Sequence, residues 1–476
     1  MKRHVFRFAL LAPALFAGCT SLTPREAFPK LSDDIEARTG AKVVWRNGSD
    51  ADLAVDQAID DLLSRELTAD SAVQIALLSN PSIQATYEEL GIAQAELVEA
   101  GLLSNPIFSA MVKFADSGDP KIELGITQNF IELFSMPLRK RVASAKYEAA
   151  KLRVANEVIE LATTVRKAFI NLQAGEQSLD LLRAELNVAE SASLAAERLR
   201  AAGNISELQL AIHQVNFGET KLELSRAQAK SMKAKEELTT LLGFWGSRTD
   251  LKLAPRLPEL PEVESELADL ESIAICQRFD LQSRVSELNA NYESLGIARQ
   301  FAWGDLEVSV EAERETDGEW LVGPGVSLPV PIFDTGAANV SIEQAKLRQA
   351  EWRLHALESQ IRSEVRSAQF EMTAAREQVE FHKSKQLPLR ENITRQSQFQ
   401  YNAMQIGVFE LLDAKRAEIQ AMESYVESLR DYWIARAELE RAIGGRLLTN
   451  ESSTTQPTSQ PISQPTKTNN HDQHQH

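Results

Sequence analysis

Only two cysteines, Cys19 and Cys276, occur in 476 residues. A fold of this size is therefore not held by a disulfide framework, and no Cys/His cluster has metal-site spacing. Glycine and proline are sparse, at 21 and 17 residues, so long stretches carry no helix breaker. Positive charge is in deficit, with 51 Lys and Arg against 68 Asp and Glu and a formal net charge of −17. So acidic a chain makes a poor general ligand for nucleic acid. No uninterrupted apolar run of about 20 residues exists, so no helix is expected to span a membrane. Any crossing of a bilayer falls to strands. Also missing are a P-loop, a dinucleotide fingerprint and a nucleophile elbow. The glycines of "GPGVSLP" lack a following lysine and fall in a strand pattern. The sequence thus assigns no catalytic residue and no cofactor, and reads as a non-enzyme.

What the chain does have is a long helical seam. Val154, Val158, Leu161, Val165, Ala168 and Leu172 recur at spacings of four and three. Gly175, Leu179, Leu182, Leu186 and Ala189 continue the beat. Such a seam, held for five heptads, belongs to a helix packed lengthwise on other helices. The pattern returns about 200 residues later, where Ile361, Val365, Ala368, Met372 and Val379 stand in for Leu161, Val165, Ala168, Leu172 and Leu179. "YEELGIAQ" (87–94) likewise returns as "YESLGIAR" (292–299). The chain is a duplication.

Read in order, residues 1–18 form a lipoprotein-type signal peptide, with a basic start, an apolar middle and Phe16-Ala17-Gly18 before Cys19. Those last four residues resemble a bacterial lipobox, which marks Cys19 for acylation. Acylation would leave Cys276 without a disulfide partner. Residues 19–66 read as an arm, extended with one short helix. The first repeat, 67–245, opens with a helix capped around Thr68 and Asp70, with a kink or break expected at Pro81. A period-2 hairpin follows at 105–131: Phe108, Ala110, Val112 and Phe114 alternate with Ser109, Met111 and Lys113, then Ile122, Leu124, Ile126 and Phe130 with Glu123, Gly125, Thr127 and Asn129. Strands of this length suit a tilted membrane-crossing strand of about 9–11 residues. A soluble hairpin packed on the helices is the competing reading. A long helix starting at Pro137 reaches about Ala202, and a return helix runs from Ser206 to Leu242. A Pro-rich linker (246–266) leads to the second repeat, 267–445, with helix 267–300, a hairpin at 305–331 and a long helix from Asp334 to about Met404. Pro324 in the last strand points to an edge, a bulge or a bend. The tail, 446–476, is rich in Ser, Thr, Gln and Pro and is expected to be disordered. The fold class is mainly α with a small β part, built from a duplicated helix, β-hairpin and long helical hairpin.

Four strands cannot close a membrane barrel, and open edges are not tolerated in lipid. Either the chain stays out of the bilayer as a periplasmic coiled-coil scaffold or adaptor, or copies combine. Three copies of four strands give twelve. Alternation then sends the apolar set towards lipid and Glu123, Glu307, Glu311 and Glu313 towards a lumen.

The order of "LTADSAVQIALLSNPSI", "AGLLSNPIF", "PVPIFDTGAANVSIEQAK" and the paired turns "AGNISELQL" and "MQIGVFELLDAKR" resembles the TolC-type outer-membrane efflux channels over residues ~65–445. The resemblance implies a homotrimer with a twelve-stranded β-barrel in outer-membrane lipid, continuous with a periplasmic α-helical barrel. It implies an exit duct for an inner-membrane efflux pump, joined through a periplasmic membrane-fusion adaptor, in a Gram-negative bacterium. Gly203, Asn204, Ile205, Ser206 and Leu208, with Gln405, Ile406, Gly407 and Phe409, correspond to the periplasmic tip that docks the adaptor. Gly203 matches Met404, and Gly407 is the residue that could supply flexibility to the second turn. Tyr401, Glu410 and Asp413 match the periplasmic gate, where a ring of carboxylates and an ordinary charged surface are both open readings. "AGLLSNPIF" and "ITQNFIELFSMPLRKRVASA" look closest to the heavy-metal branch; a drug, general-solute or type I secretion duct is the alternative. His471, His474 and His476 form a weak candidate for metal, and His213, His355 and His382 stand isolated.

Overall fold

The computed structural model describes residues 28–46, 48, 50–114, 120–246, 248–262, 268–301, 306–315 and 317–447. Cys19, the signal peptide and His471, His474 and His476 lie outside the described residues. The arm carries two helices rather than one, α1 (Phe28–Thr39) and α2 (Asp50–Leu63). The first repeat comprises α3 (Ala69–Ser79), α4 (Pro81–Glu99), β1 (Ile107–Lys113), β2 (Lys121–Asn129), α5 (Ile131–Ala201) and α6 (Glu207–Leu241). The second comprises α7 (Leu270–Gln277), α8 (Phe279–Gln300), β3 (Glu307–Arg314), β4 (Trp320–Ser327), α9 (Ala337–Phe381), α10 (Leu387–Asn402) and α11 (Val408–Ile443). Among the described residues no helix is long and apolar enough to cross a membrane.

The spine is α5. At about 1.5 Å per residue its 71 residues reach about 107 Å. The seam residues Val154, Val158, Val165 and Leu172 are fully buried in a core shared with α1, α3, α4 and the end of α6. Ile170 and Ala174, on another face of the same helix, enter a second core with α7, α9 and α11. There Ile361, Val365, Met372 and Val379 repeat the seam and are buried. One helix therefore serves both halves of the duplication.

The helix that opens each repeat is split in two, and the split is where the return helix docks. Asn80 ends α3 and caps α4, its side-chain oxygen accepting from the Ser82 N–H at 2.8 Å. Its amide nitrogen donates to the Leu241 carbonyl at 2.8 Å, and the Ser79 hydroxyl donates to Leu242 O at 2.6 Å. Gly243, at φ +76°, lies so close that a Cβ would sit 2.6 Å from Ser79 O. In the second repeat, the expected single helix 267–300 breaks at Arg278, between α7 and α8. Arg278 donates to Ala442 O at 3.4 Å, and Gly444, at φ +80°, abuts its backbone. Burial opposes the Arg278 charge, but Asp280 and Glu364, each at 2.6 Å, hold it protonated. The joint is duplicated with different chemistry.

Two helix boundaries differ from expectation. Pro137 lies inside α5, which begins at Ile131. The second long helix starts at Ala337 and is interrupted by a π turn at His382–Gln386. Pro388, in the first turn of α10, lacks an N–H and crowds the carbonyl four residues back; the wider turn relieves that clash.

The strands form a single antiparallel meander, β1-β2-β3-β4, so the two hairpins join through β2 and β3. β4, with Pro324, is an edge strand. The backbone at Gly243 makes a distinct demand. Gly243→Ala combines left-handed strain with collision and is expected to lower thermal stability more than Gly203→Ala, which has φ +75° but open space around it. Melting of the two variants in detergent checks this; equal shifts would contradict the docking role of the joint.

Candidate functional site

The register of the sheet settles which residues share a face. Glu123 lies opposite Glu313, Gly125 opposite Glu311, and Asn129 opposite Glu307. All four glutamates therefore stand on one face, as the alternation required. That face is less acidic than the glutamates alone suggest. Lys113 and Lys121 share it, with Lys113 Nζ 2.5 Å from Glu123 Oε1. Lys121 pairs with Glu313 and lies 3.5 Å from Glu315. The two lysines offset the repulsion of directly opposed Glu123 and Glu313. Glu307 and Glu311 stand further along β3 on the same face. The opposite face exposes Phe108, Val112, Ile126, Val310, Trp320, Val322 and Val326. A contiguous apolar sheet face of this kind calls for a non-aqueous neighbour.

At the far end of the helices the two turns are built alike. Gly203 N donates to Arg200 O and Asn204 N to Leu199 O; Met404 N donates to Tyr401 O and Gln405 N to Gln400 O. Both are Schellman closures with a left-handed residue after the helix. In the second turn that residue is Met404 itself, at φ +57°. Gly407 does not supply the reversal; it is extended, φ −82°, and caps α11. Ser206 caps α6, with Gln209 accepting from the Ser206 N–H at 3.0 Å. Glu410 performs the same service, accepting from the Gly407 N–H at 3.1 Å. Its carboxylate is thus fixed at the start of α11, where a negative group is favoured. Asp413 and Tyr401 are exposed nearby along the chain, and Leu208 is 70% exposed. Ile205 and Ile406 are half-buried. His213 is not isolated: its ring stacks on Phe409, with centroids 4.0 Å apart and 16° between planes. This contact joins the two helical hairpins near their tips.

A further group was not signalled by spacing. Glu423 on α11 is affected by Glu427 on the same helix, Glu223 on α6 and Glu185 on α5. Burial, then repulsion by these neighbours, pushes its carboxyl up to about 7. Burial also raises Glu185, opposed by the Gln420 amide at 2.9 Å and by Arg416. These carboxylates come from three helices far apart in sequence, so no local motif could show them. Among the described residues no group of three or more His, Cys, Asp or Glu is placed to hold a metal ion.

A meander of four strands on a long helical stem is the fold of known outer-membrane channels. The Campylobacter jejuni CmeC outer membrane channel superposes with a TM-score of 0.68 at 16% identity, covering 81% of this chain and 87% of that one. The open-state Neisseria gonorrhoeae MtrE outer membrane channel gives 0.64 at 19% identity, covering 80% and 89%. The sequence adds the family. Residues 72–244 and 270–445 match the outer membrane efflux protein family, and the chain belongs to it. It is an efflux channel component of the outer membrane. The chain is also 24% identical, over 395 residues, to the cobalt-zinc-cadmium resistance protein CzcC of Cupriavidus metallidurans, covering 79% of this chain and 90% of that protein.

The raised Glu423 carboxyl carries a pH dependence. A folded-state value of about 7 against an ordinary 4.5 means that stability is fully present below about 4.5 and is lost as pH rises through 7. Glu423→Gln is therefore expected to melt higher than the parent at pH 8 and close to it at pH 4. A difference independent of pH would remove the group from that role.

Proposed function

We propose that three copies of the chain close a twelve-stranded barrel in the outer membrane, continuous with a helical tube in the periplasm. The observation carrying this is the open meander: β1 and β4 are unpaired edges of a sheet with an exposed apolar face. Edge N–H and C=O groups in lipid have no water to bond, so β4 of one copy must meet β1 of the next. The polar face, with Glu123, Glu307, Glu311 and Glu313, then lines the lumen. Acylation of Cys19 would add a lipid anchor to the same membrane.

The tips built from Gly203–Leu208 and Gln405–Phe409 are the docking ends for a periplasmic adaptor, which brings the duct to an inner-membrane pump. Tyr401, Glu410 and Asp413 line the entrance, where carboxylates from three copies converge and repel. The cargo we propose is divalent metal cation. Support comes from the likeness to CzcC, whose name states cobalt, zinc and cadmium resistance, and from Glu307 and Glu311 on the lumen face. Transport is passive, the energy being supplied at the pump.

Two measurements test this reading. In detergent the protein should run as a particle of three processed chains, each somewhat lighter than the 52.8 kDa of the full 476 residues; a monomer that stays soluble without detergent would end the proposal. In planar bilayers, Glu410→Gln combined with Asp413→Asn should weaken block by multivalent cations about tenfold. Glutamine keeps the capping geometry that Gln209 uses in the first turn, so the tip should still form. Unchanged block would take both carboxylates out of the entrance.

A further inference from the structure

Where the arm, the linker and the end of α11 meet α5, the chain lines a half-open cavity of about 590 Å³. Its apolar wall includes Phe169, Ile170, Pro258, Trp433 and Leu447. That volume and lining match the usual small-molecule site, which is mostly apolar with a few placed polar groups. The polar groups here are of one kind. Arg166, Arg256, Arg436 and Arg446 line the cavity against only Asp70 and Glu440.

Those two carboxylates are already shared. Asp70 is bonded by Arg166 at 2.9 Å and by Arg446 at 2.5 Å. Glu440 lies 2.9 Å from Arg166 and 3.7 Å from Arg436. Arg436 is also held by the Tyr432 hydroxyl, at 3.2 Å. Four guanidiniums against two carboxylates leave the lining with an excess of positive charge, whatever neutral acceptors the N–H groups also meet. Arg166 and Arg436 are mostly buried, which strengthens any charge they meet. Burial also raises the Glu440 carboxyl, against the pull of Arg166, Arg436 and Arg446. A chain of net charge −17 therefore holds a cationic cavity. Trp433 is fixed by its indole N–H on Pro258 O at 2.9 Å, and the Arg436 guanidinium lies 5.8 Å from its ring centre.

We propose that this cavity binds a small organic anion with a flat apolar body, an aromatic carboxylate being the simplest case, once per chain. The carboxylate meets the guanidiniums in their forked geometry, and the ring lies on Phe169 and Trp433. The site is remote from the lumen face and the tips, and the inference does not depend on the cargo. Because α1, α3, the linker, α5 and α11 all contribute, a bound anion would also tie the arm and linker to the helical stem.

Calorimetric titration of the full-length protein in detergent, against a micelle blank, tests this with 1-naphthoate and its neutral partner 1-naphthamide. The acid should bind once per chain and raise the melting temperature, and the amide should bind about tenfold more weakly. Ala254→Trp, which fills the cavity without adding or removing a charge, should abolish binding of the acid. Arg256→Gln, at the exposed rim, should weaken it roughly threefold and covers the case in which the larger residue is not accommodated. Acid and amide binding alike, or acid binding that is the same in the variants as in the parent, would overturn the proposal.

Discussion

The structure depends on α5 being buried on two faces at once. A helix about 107 Å long cannot be held straight by its own hydrogen bonds in water; tertiary packing of its apolar stripe must do so. Val154, Val158, Val165 and Leu172 fill the first core, and Ile170 and Ala174 fill the second. Without that double use, the repeats would be two separate helical hairpins with little to hold them side by side. The β2–β3 ladder reinforces the same union at the other end of the molecule. The duplication is thus fused by one shared helix and one shared strand pair.

Each repeat also needs its return helix to end against a fixed stop. The stop is the interrupted opening helix, and glycine is required because the backbones nearly touch. Asn80 satisfies the Leu241 carbonyl at the end of α6 through a neutral amide. Arg278 does so for α11 through a charge that Asp280 and Glu364 must balance. Duplication preserved the geometry and let the chemistry drift.

Much of this was legible in sequence. The four-three seam, its return 200 residues later and the period-2 alternation follow from local side-chain direction alone. Pro81 announced the break at Asn80. The break at Arg278 carries no proline or glycine, and only the docking of Gly444 explains it. The π turn also escaped, because Pro388 reads equally as a kink or an extra residue in the turn. The pairing of Lys113 and Lys121 with Glu123 and Glu313 is not visible in the sequence, because it depends on register across strands. The tips were readable as turns, but the conformation of Met404 and the His213–Phe409 stack were not. Glu423 with its neighbours, and the arginine-lined cavity, are assembled from segments far apart in the chain.

The π turn at His382–Gln386 inserts one residue, which rotates everything after it by about 100° about the helix axis. Above it, Ile361 to Val379 point inward; below it, Leu389, Ile393 and Phe399 lie exposed and α10 buries no residue. The matching stretch of α5 keeps Ala189, Ser193 and Ala196 inside. A phase slip of one residue thus leaves the lower second hairpin the slack leaf of an otherwise matched pair, keyed to its own chain mainly through α11.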